Sequence, residues 1–382
     1  METIQPILKR GREVWDKINM PQSEYLNRVS AIQAQMQAQN LDVLMIYGAG
    51  LNEYANICYL SNYATRMPWG SVIIVPPVGD ITLIYQGGSR ELKAVHTLCW
   101  IKDIDSTMNL PAACLDYLEK NNYLSSKIGS VGFRHLMPFK EYQHLEKGLA
   151  QGEVIEADDI LSSLRSMKSP KEIDQIRRAA RIVNLGFDLL GRTPFSNPGE
   201  LALEAQIDRD MRLEGVEDVR TLFATPDQPK WALRPAADLT LSEGDRIIIY
   251  LALSYERYWA DGLRTLTFTN GHFVDATPDG FRDLCQKSLT GIKPQMTATQ
   301  VTQKIASGVR AGGFAPIADY GIGQGVGLAL HESPYFDDQD QTVLQAGMCF
   351  ALRLALNDPQ AGAIMGGDTY LLNENGPEKL TV

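Results

Sequence analysis

One segment near the middle of the chain, beginning at Ser169, constrains the fold more than any other. Ser169-Pro170-Lys171-Glu172 has the pattern of a helix capping box, in which the serine hydroxyl accepts a hydrogen bond from the third helical amide and Glu172 reaches back. Behind it, apolar residues recur at steps of three and four, at Ile173, Ile176, Ala180, Val183, Phe187 and Leu190. The spacing predicts a long helix from Pro170 with one buried face. It also predicts a domain boundary just before that helix, near residues 159–170.

The patterns differ on the two sides of this boundary. On the N-terminal side, Ser23 opens a helical pattern, and apolar runs at 43–46, 72–75 and 81–84 indicate strands. Strands that alternate with helices are typical of an α/β domain. On the C-terminal side we expect helices over 200–214 and 297–312, and strands over 246–253, 264–269, 348–355 and 369–372. The sequence therefore predicts one domain over residues 1–158 and a second over 159–382.

Charge and composition exclude several classes of partner. The chain has 382 residues, a net charge of −10 and a sequence pI of about 5.1, without a dense Lys/Arg block. We therefore expect no nucleic-acid partner and no membrane partner. No apolar run approaches the roughly 18 residues that a membrane helix needs, and the first residues lack a signal-peptide pattern. The five cysteines are scattered, which predicts reduced thiols and a cytoplasmic protein.

Several motifs follow one another in an order and spacing typical of one family. They are Leu164 to Ile173, Gly244-Asp245-Arg246 to Asp261-Gly262-Leu263-Arg264, Gly323-Gln324-Gly325-Val326-Gly327 to His331-Glu332-Ser333-Pro334, Gly347-Met348, Asp368-Thr369 to Asn375-Gly376-Pro377 and, more loosely, Cys58-Tyr59-Leu60-Ser61-Asn62. Together they resemble the creatinase, prolidase and aminopeptidase P family. The resemblance implies an α+β protein, with a pita-bread catalytic-type domain behind a smaller N-terminal creatinase-like α/β domain. It also implies a homodimer that acts on a small-molecule substrate.

The resemblance also implies where metal ligands belong. Family members that use metal hold two divalent ions with two Asp, one His and two Glu. In this chain the five positions carry Tyr250, Asp261, Gln324, Arg353 and Gly367. One Asp beside a neutral Gln is a poor donor set for Mn²⁺, Co²⁺ or Zn²⁺, and Arg353 brings a permanent positive charge. We therefore expect no metal and no other cofactor, and the pattern argues against a dinuclear metallopeptidase.

The remaining charged residues at these positions are the candidates for catalysis. Asp261 and Arg353 are expected to pair across the pocket, because buried charges persist only with partners. Arg353 is also suited to binding a substrate carboxylate through its planar fork. His331 aligns with a family histidine that binds substrate or transfers protons, and an ordinary pKa near 6.5 suits acid–base work. The alternative for His331 is a structural histidine after a glycine-rich turn.

Four further residues are candidates for substrate binding. Tyr250 and Tyr258 each offer a phenol, although tyrosines on strands more often lie in the core. Gln324 occupies a former ligand position. Arg66 belongs to the segment through which the small domain reaches a neighbouring subunit in the family, although an ordinary surface arginine is its default interpretation.

These residues leave two functions open. The first is a metal-independent hydrolase or lyase that acts on a small C–N bonded compound, including carboxylated ones, with Asp261 and His331 transferring protons and Arg353 stabilising negative charge. The alternative is a non-catalytic pseudoenzyme that kept the pita-bread fold for ligand binding or scaffolding.

Overall fold

Two separate sheets organise the chain in the computed structural model, which describes residues 15–50, 53–65, 69–196, 198–227, 232–316, 320–358 and 362–381. The chain divides into two compact units, Met1–Arg165 and Ser166–Val382. The boundary predicted from the sequence was 158/159.

The N-terminal unit is an α/β domain around a six-stranded sheet. The strand order is β4-β3-β2-β1-β5-β6, with β1 antiparallel to β2 and parallel to β5. Both faces of β1 are buried, which explains its continuous apolar run. The elements are α1 (Gln22–Ala38), β1 (Val43–Ala49), α2 (Ala55–Ser61), β2 (Gly70–Val75), β3 (Thr82–Gln86), a 3₁₀ turn (Ser89–Glu91), α3 (Leu92–Leu98), β4 (Asp103–Thr107), α4 (Leu110–Lys120), β5 (Lys127–Val131), α5 (Phe133–Leu136), α6 (Phe139–Gly148), β6 (Glu153–Glu156) and α7 (Asp158–Ser166).

The C-terminal unit combines helices with a ten-stranded sheet. The strand order is β13-β12-β14-β15-β9-β8-β7, while β10, β11 and β16 pair with β9, β14 and β15. All of these pairings are antiparallel. The elements are α8 (Pro170–Arg192), α9 (Glu200–Leu213), β7 (Asp218–Ala224), β8 (Arg246–Tyr255), β9 (Tyr258–Thr269), β10 (His272–Asp275), α10 (Asp279–Leu289), α11 (Ala298–Ala311), β11 (Ala315–Pro316), β12 (Gly323–Gly325), β13 (Glu332–Tyr335), β14 (Cys349–Asp358), β15 (Gly362–Asn373) and β16 (Gly376–Lys379).

Helix α8 begins where the capping box predicts. The Ser169 hydroxyl accepts from the amide of Glu172 at 3.2 Å, and the Glu172 carboxylate accepts from the amide of Ser169 at 3.0 Å. Two amides that the first turn leaves without helical partners are thereby satisfied. The apolar stripe is buried at Ile176, Ala180, Val183 and Leu190.

The sheet of the C-terminal unit has two distinct faces. One is covered by α8 and α10: a side chain at Gly262 would meet Val183 and Phe187 at 3.0 Å, and one at Gly366 would meet Phe281 at 2.7 Å. This is named the helix face. Because side chains alternate along a strand, Asp261 and Gly367 point to the opposite side, named the inner face. Among the described residues, no helix has both the length and the apolar character to cross a membrane.

Candidate functional site

The strand register brings the five positions of the implied metal site together on the inner face. One row of paired residues runs across β8, β9, β15 and β14, and it consists of Tyr250, Leu263, Gly367 and Arg353. Asp261 lies in the adjacent row, where Gln324 of β12 pairs with Ala351 of β14. Three of the five positions thus share one row, and the other two lie in the next.

Asp261 and Arg353 form a buried ion pair at the centre of these rows. The Nη2 atom of Arg353 donates to Oδ2 of Asp261, and the two side chains are 15% and 1% exposed. Burial alone would lower the pKa of Arg353, but the adjacent Asp261 and Tyr250 outweigh burial and leave that pKa raised. The guanidinium therefore stays charged, and the expected pairing across the pocket is present.

Neutral side chains complete the hydrogen bonding of this pair. Tyr250 donates its hydroxyl to Oδ2 of Asp261 at 2.9 Å, and its ring lies 5.3 Å below the Arg353 guanidinium. Burial, followed by the Asp261 charge, raises the pKa of Tyr250, so the phenol stays protonated as a donor. Gln324 accepts from Nη1 of Arg353 at 2.9 Å and donates to the carbonyl of Leu330 at 3.3 Å. Both residues therefore position the ion pair.

His331 lies close enough to the ion pair for the two charges to act on its pKa. Partial shielding of the ring from water lowers that pKa, the Arg353 cation lowers it further, and the Asp261 carboxylate acts in the opposite direction. The residue as a whole is exposed to solvent. A neutral, accessible imidazole beside a fixed cation is suited to accepting a proton at neutral pH.

Two predicted substrate contacts are not at this cluster. Tyr258 lies three residues before Asp261 on the same strand, so its side chain points to the helix face. There its hydroxyl donates to Glu172 of α8 at 3.2 Å, and the residue is 2% exposed. The prediction that Tyr258 offers its phenol to the pocket is therefore wrong in its geometry. Arg66 lies outside the described residues, and its predicted role stays a prediction.

Residues that the sequence interpretation did not single out also shape this face. The Thr369 hydroxyl accepts from the amide of Asp261 at 2.9 Å and donates to its carbonyl oxygen at 3.0 Å. Arg220 of β7 lies 4.7 Å over the Trp259 ring, and its charge also lowers the pKa of His331. The proximity of Thr369 was signalled by Asp368-Thr369, which adjoins a ligand position. For Arg220, the sequence carried no signal that we can identify.

A second buried ion pair supports the glycine-rich turn before His331. Nζ of Lys168 lies 2.7 Å from Oε1 of Glu332, and the two side chains are 1% and 9% exposed. A side chain at Gly327 would come within 2.4 Å of that same carboxylate oxygen. A side chain at 327 would therefore displace the Glu332 carboxylate and disturb its pairing with Lys168.

The donor set on the inner face does not fit the pair of divalent ions that the family resemblance implies. Asp261 alone keeps a carboxylate ligand, and the Arg353 guanidinium already binds it. Within the described ranges, no group of three or more His, Cys, Asp or Glu side chains is arranged to hold a metal ion. Divalent ions need several anionic or imidazole donors to displace water.

A cavity of about 950 Å³ opens on the other side of the same sheet. Its walls include Arg264, Asp368 and residues of α10 such as Phe281 and Cys285. Arg264 donates to Asp368 at 2.7 Å and to the carbonyls of Leu263 and Gly367 at 2.9 and 2.8 Å. Those hydrogen bonds join β9 to β15.

Comparison with known proteins assigns the chain to a family. A model of the metallopeptidase family M24 matches residues 174–374, and one of the creatinase/prolidase N-terminal domain matches residues 28–167. The chain belongs to the M24 family. The expected α+β architecture, with a creatinase-like domain followed by a pita-bread domain, is confirmed by these matches and by the solved structures below.

Similar proteins cover most of this M24 chain. The Xaa-Pro dipeptidase of Pyrococcus horikoshii is 24% identical over 278 residues, which are 72% of this chain and 79% of that protein. The crystal structure of the prolidase from Pyrococcus horikoshii covers 93% of this chain and 98% of its own, with a TM-score of 0.76 and 21% identity. The X-Pro aminopeptidase from Thermotoga maritima has a TM-score of 0.77 over 93% of this chain and 97% of its own, at 18% identity.

These relatives overturn the function predicted from the sequence. The missing ligands, together with the remaining Asp261, His331 and Arg353, predicted a metal-independent hydrolase or lyase of a small C–N compound, with a non-catalytic pseudoenzyme as the alternative. Relatives named Xaa-Pro dipeptidase and prolidase point instead to peptidase activity. Both predictions were therefore wrong, because the loss of four ligands was given more weight than the similarity along the rest of the chain.

Proposed function

We propose that this M24 protein is a peptidase of short peptides, with dipeptides that carry proline in the second position as the first class to test. The similarity to Xaa-Pro dipeptidases over 72% of the chain supports this proposal most strongly. The inner face supports it with groups suited to a polar substrate: the His331 imidazole and the positive charge of Arg353.

In this proposal His331 accepts and returns protons. Its lowered pKa keeps the imidazole neutral at pH 7, which is the state a general base requires. Its exposure gives water and substrate access to the ring. Proton transfer by a positioned side chain typically contributes about 10²–10⁴-fold to a rate.

Arg353 and Asp261 act as a unit in the same proposal. The guanidinium offers fixed positive charge to an anionic group, either the free carboxylate of a dipeptide or charge that develops on a carbonyl oxygen. Oδ2 of Asp261 accepts hydrogen bonds from both Arg353 and Tyr250. Its geometry favours holding Arg353 in place over transferring protons itself.

We also propose a homodimer and a cytoplasmic location. The family resemblance supports the dimer, in which the predicted role of Arg66 is to reach the partner's substrate. Five free cysteines are consistent with a reducing compartment.

The test is product detection with a matched pair of variants. The purified chain is incubated with Xaa-Pro dipeptides and with Xaa-Ala controls, either in EDTA or with added Mn²⁺, Co²⁺ or Zn²⁺, and free proline is measured by mass spectrometry. We expect proline release that falls by about 10²-fold or more in His331→Ala. His144→Ala, on an exposed position of α6, is the control and should leave the rate unchanged.

Two results would contradict the proposal. One is the absence of proline release from every dipeptide under every ion condition. The other is an equal rate of proline release in the wild-type chain and in His331→Ala, since that would show that the reaction does not use the inner face.

A further inference from the structure

Arg353 reaches Asp261 only by crossing an intervening strand. Arg353 lies on β14 and Asp261 on β9, and β15 runs between them. The residue of β15 that pairs with Arg353 is Gly367. A Cβ atom at Gly367 would lie 2.8 Å from Cγ of Arg353 and 2.9 Å from the carbonyl oxygen of Leu352. Both distances are shorter than non-bonded contacts allow, so the absence of a side chain at 367 leaves the space in which the arginine lies.

The resemblance places a glutamate ligand at that same position. A glutamate at 367 would bring a Cβ into the path of Arg353, and its carboxylate would compete with Asp261 for the guanidinium. Conversely, glycine at 367 without an arginine at 353 would leave a gap beside Asp261. The residues at 353 and 367 therefore fit each other sterically.

Gln324 and Tyr250 fit the same arrangement chemically. Gln324 turns its carbonyl oxygen to Nη1 of Arg353, an acceptor that a protonated or metal-binding histidine does not offer. Tyr250 donates to Asp261 and lies under the guanidinium, whereas an aspartate there would add a second negative charge at that end of the pocket. One guanidinium and one carboxylate leave these five positions with no net charge.

We infer that Tyr250, Gln324, Arg353 and Gly367 depend on one another and together replace four metal ligands. They place the Arg353 guanidinium beside Asp261, and this arrangement excludes divalent ions from the inner face. Reversal of one position does not restore ion binding, because the other three keep the arrangement that suits a guanidinium. This inference concerns ion binding and holds whichever peptide the chain cleaves.

Ion binding is measured first on the chain as it exists. Chelator-treated protein is titrated with Mn²⁺ by calorimetry, and the melting temperature is followed with and without the ion. We expect no saturable binding that depends on Asp261, so Asp261→Asn should give the same titration as the wild-type chain. Tight binding of two ions per chain that is lost in Asp261→Asn would overturn the inference.

The second measurement rebuilds the implied ligand set. The fourfold variant Tyr250→Asp, Gln324→His, Arg353→Glu, Gly367→Glu should bind two Mn²⁺ per chain and melt at a higher temperature with the ion than without it. Arg353→Glu alone should do neither. A single variant that binds ions as well as the fourfold variant would overturn interdependence, as would a folded fourfold variant that binds none.

A stability cycle decides the question should the fourfold variant fail to fold. Gln324→Ala is measured in the wild-type chain, in Arg353→Met and in Arg264→Met, the matched control on the helix face. We expect Gln324→Ala to lower the denaturation midpoint in the wild-type chain and in Arg264→Met, and to lower it less in Arg353→Met, where only the hydrogen bond to the carbonyl of Leu330 is lost. Equal effects in all three backgrounds would contradict the inference.

Discussion

The sheet of the C-terminal unit carries a buried arginine–carboxylate pair on each of its faces, and the two pairs are held differently. On the helix face, Arg264 binds Asp368 and two backbone carbonyls, while Asp368 also binds Lys379 at 2.9 Å and the Thr381 hydroxyl at 2.9 Å. On the inner face, Arg353 binds Asp261 and the side chains of Tyr250 and Gln324.

This difference separates a structural pair from one available for function. Backbone carbonyls are present in any sequence that folds this way. A guanidinium bound to them therefore joins neighbouring strands whatever side chains surround it. A guanidinium bound by neighbouring side chains depends on the identity of each neighbour. The inner pair is also the less exposed of the two: the side chains of Arg353 and Asp261 are 15% and 1% exposed, and those of Arg264 and Asp368 are 14% and 11% exposed. We therefore expect the inner pair to be the more sensitive of the two to substitution.

The largest effect should come from breaking the inner pair. Arg353→Met leaves Asp261, 1% exposed, without its cation, and loss of one partner of a buried pair costs about 3–5 kcal/mol. Arg264→Met should cost less, about 1–3 kcal/mol, because Asp368 keeps Lys379 and Thr381. Urea denaturation of both variants measures the two free energies of unfolding. A larger loss in Arg264→Met would reverse the comparison.

The next effect concerns the glycine under Arg353. Gly367→Ala should destabilise the chain by about 1–3 kcal/mol, because its Cβ would press on Arg353 and on the carbonyl of Leu352. The control is Gly280→Ala in α10, where a Cβ finds its nearest neighbour at 3.8 Å and alanine favours the helix. Thermal unfolding compares the two variants, and equal stability of both would show that the space at 367 is not needed.

A smaller effect should follow from removing one hydroxyl on each face. Tyr250→Phe loses its hydrogen bond to Asp261, and Tyr258→Phe loses its hydrogen bond to Glu172, at about 0.5–1.5 kcal/mol each. Only Tyr250→Phe should also change the hydrolysis of a dipeptide, since Tyr258 points to the helix face. An equal change of rate in both variants would argue against the inner face as the site.

The smallest effect is a shift in titration. By NMR, the His331 imidazole should titrate with a midpoint below about 6.5, because partial burial and the Arg353 cation favour its neutral form. Arg353→Met removes that cation while Asp261 stays, so the titration midpoint of His331 should rise. A hydrolysis rate that needs neutral His331 would then begin to decline at a higher pH as the solution is acidified. Arg264→Met should leave the midpoint in place. An identical His331 midpoint in the wild-type chain and in Arg353→Met would show that His331 lies away from the ion pair.

The features that could be predicted from the sequence are those set by residues close together in the chain. The start of α8 follows from four consecutive residues, Ser169 to Glu172, because a capping box is satisfied locally. The face of Tyr258 was also within reach, since a residue three positions from Asp261 on one strand must point away from it.

The inner cluster was predicted only in part. The pairing of Asp261 with Arg353 follows from charge and from the positions that the family resemblance assigns. The space at Gly367 could not be predicted in this way, because it depends on which residue of β15 lies between β14 and β9. That register is set by contacts across the whole sheet. The function was misjudged for a different reason, since local ligand loss was given more weight than similarity along the chain.

The most direct test of the inner pair is a double-mutant cycle between Arg353 and Asp261. The free energies of unfolding are measured for the wild-type chain, Arg353→Met, Asp261→Asn and the double variant. If the guanidinium is held by Asp261 as described, the double variant should recover much of the stability that Arg353→Met loses, with a coupling of about 2 kcal/mol or more. Additivity within about 0.3–0.5 kcal/mol would show that the two side chains do not depend on each other, and would contradict the account.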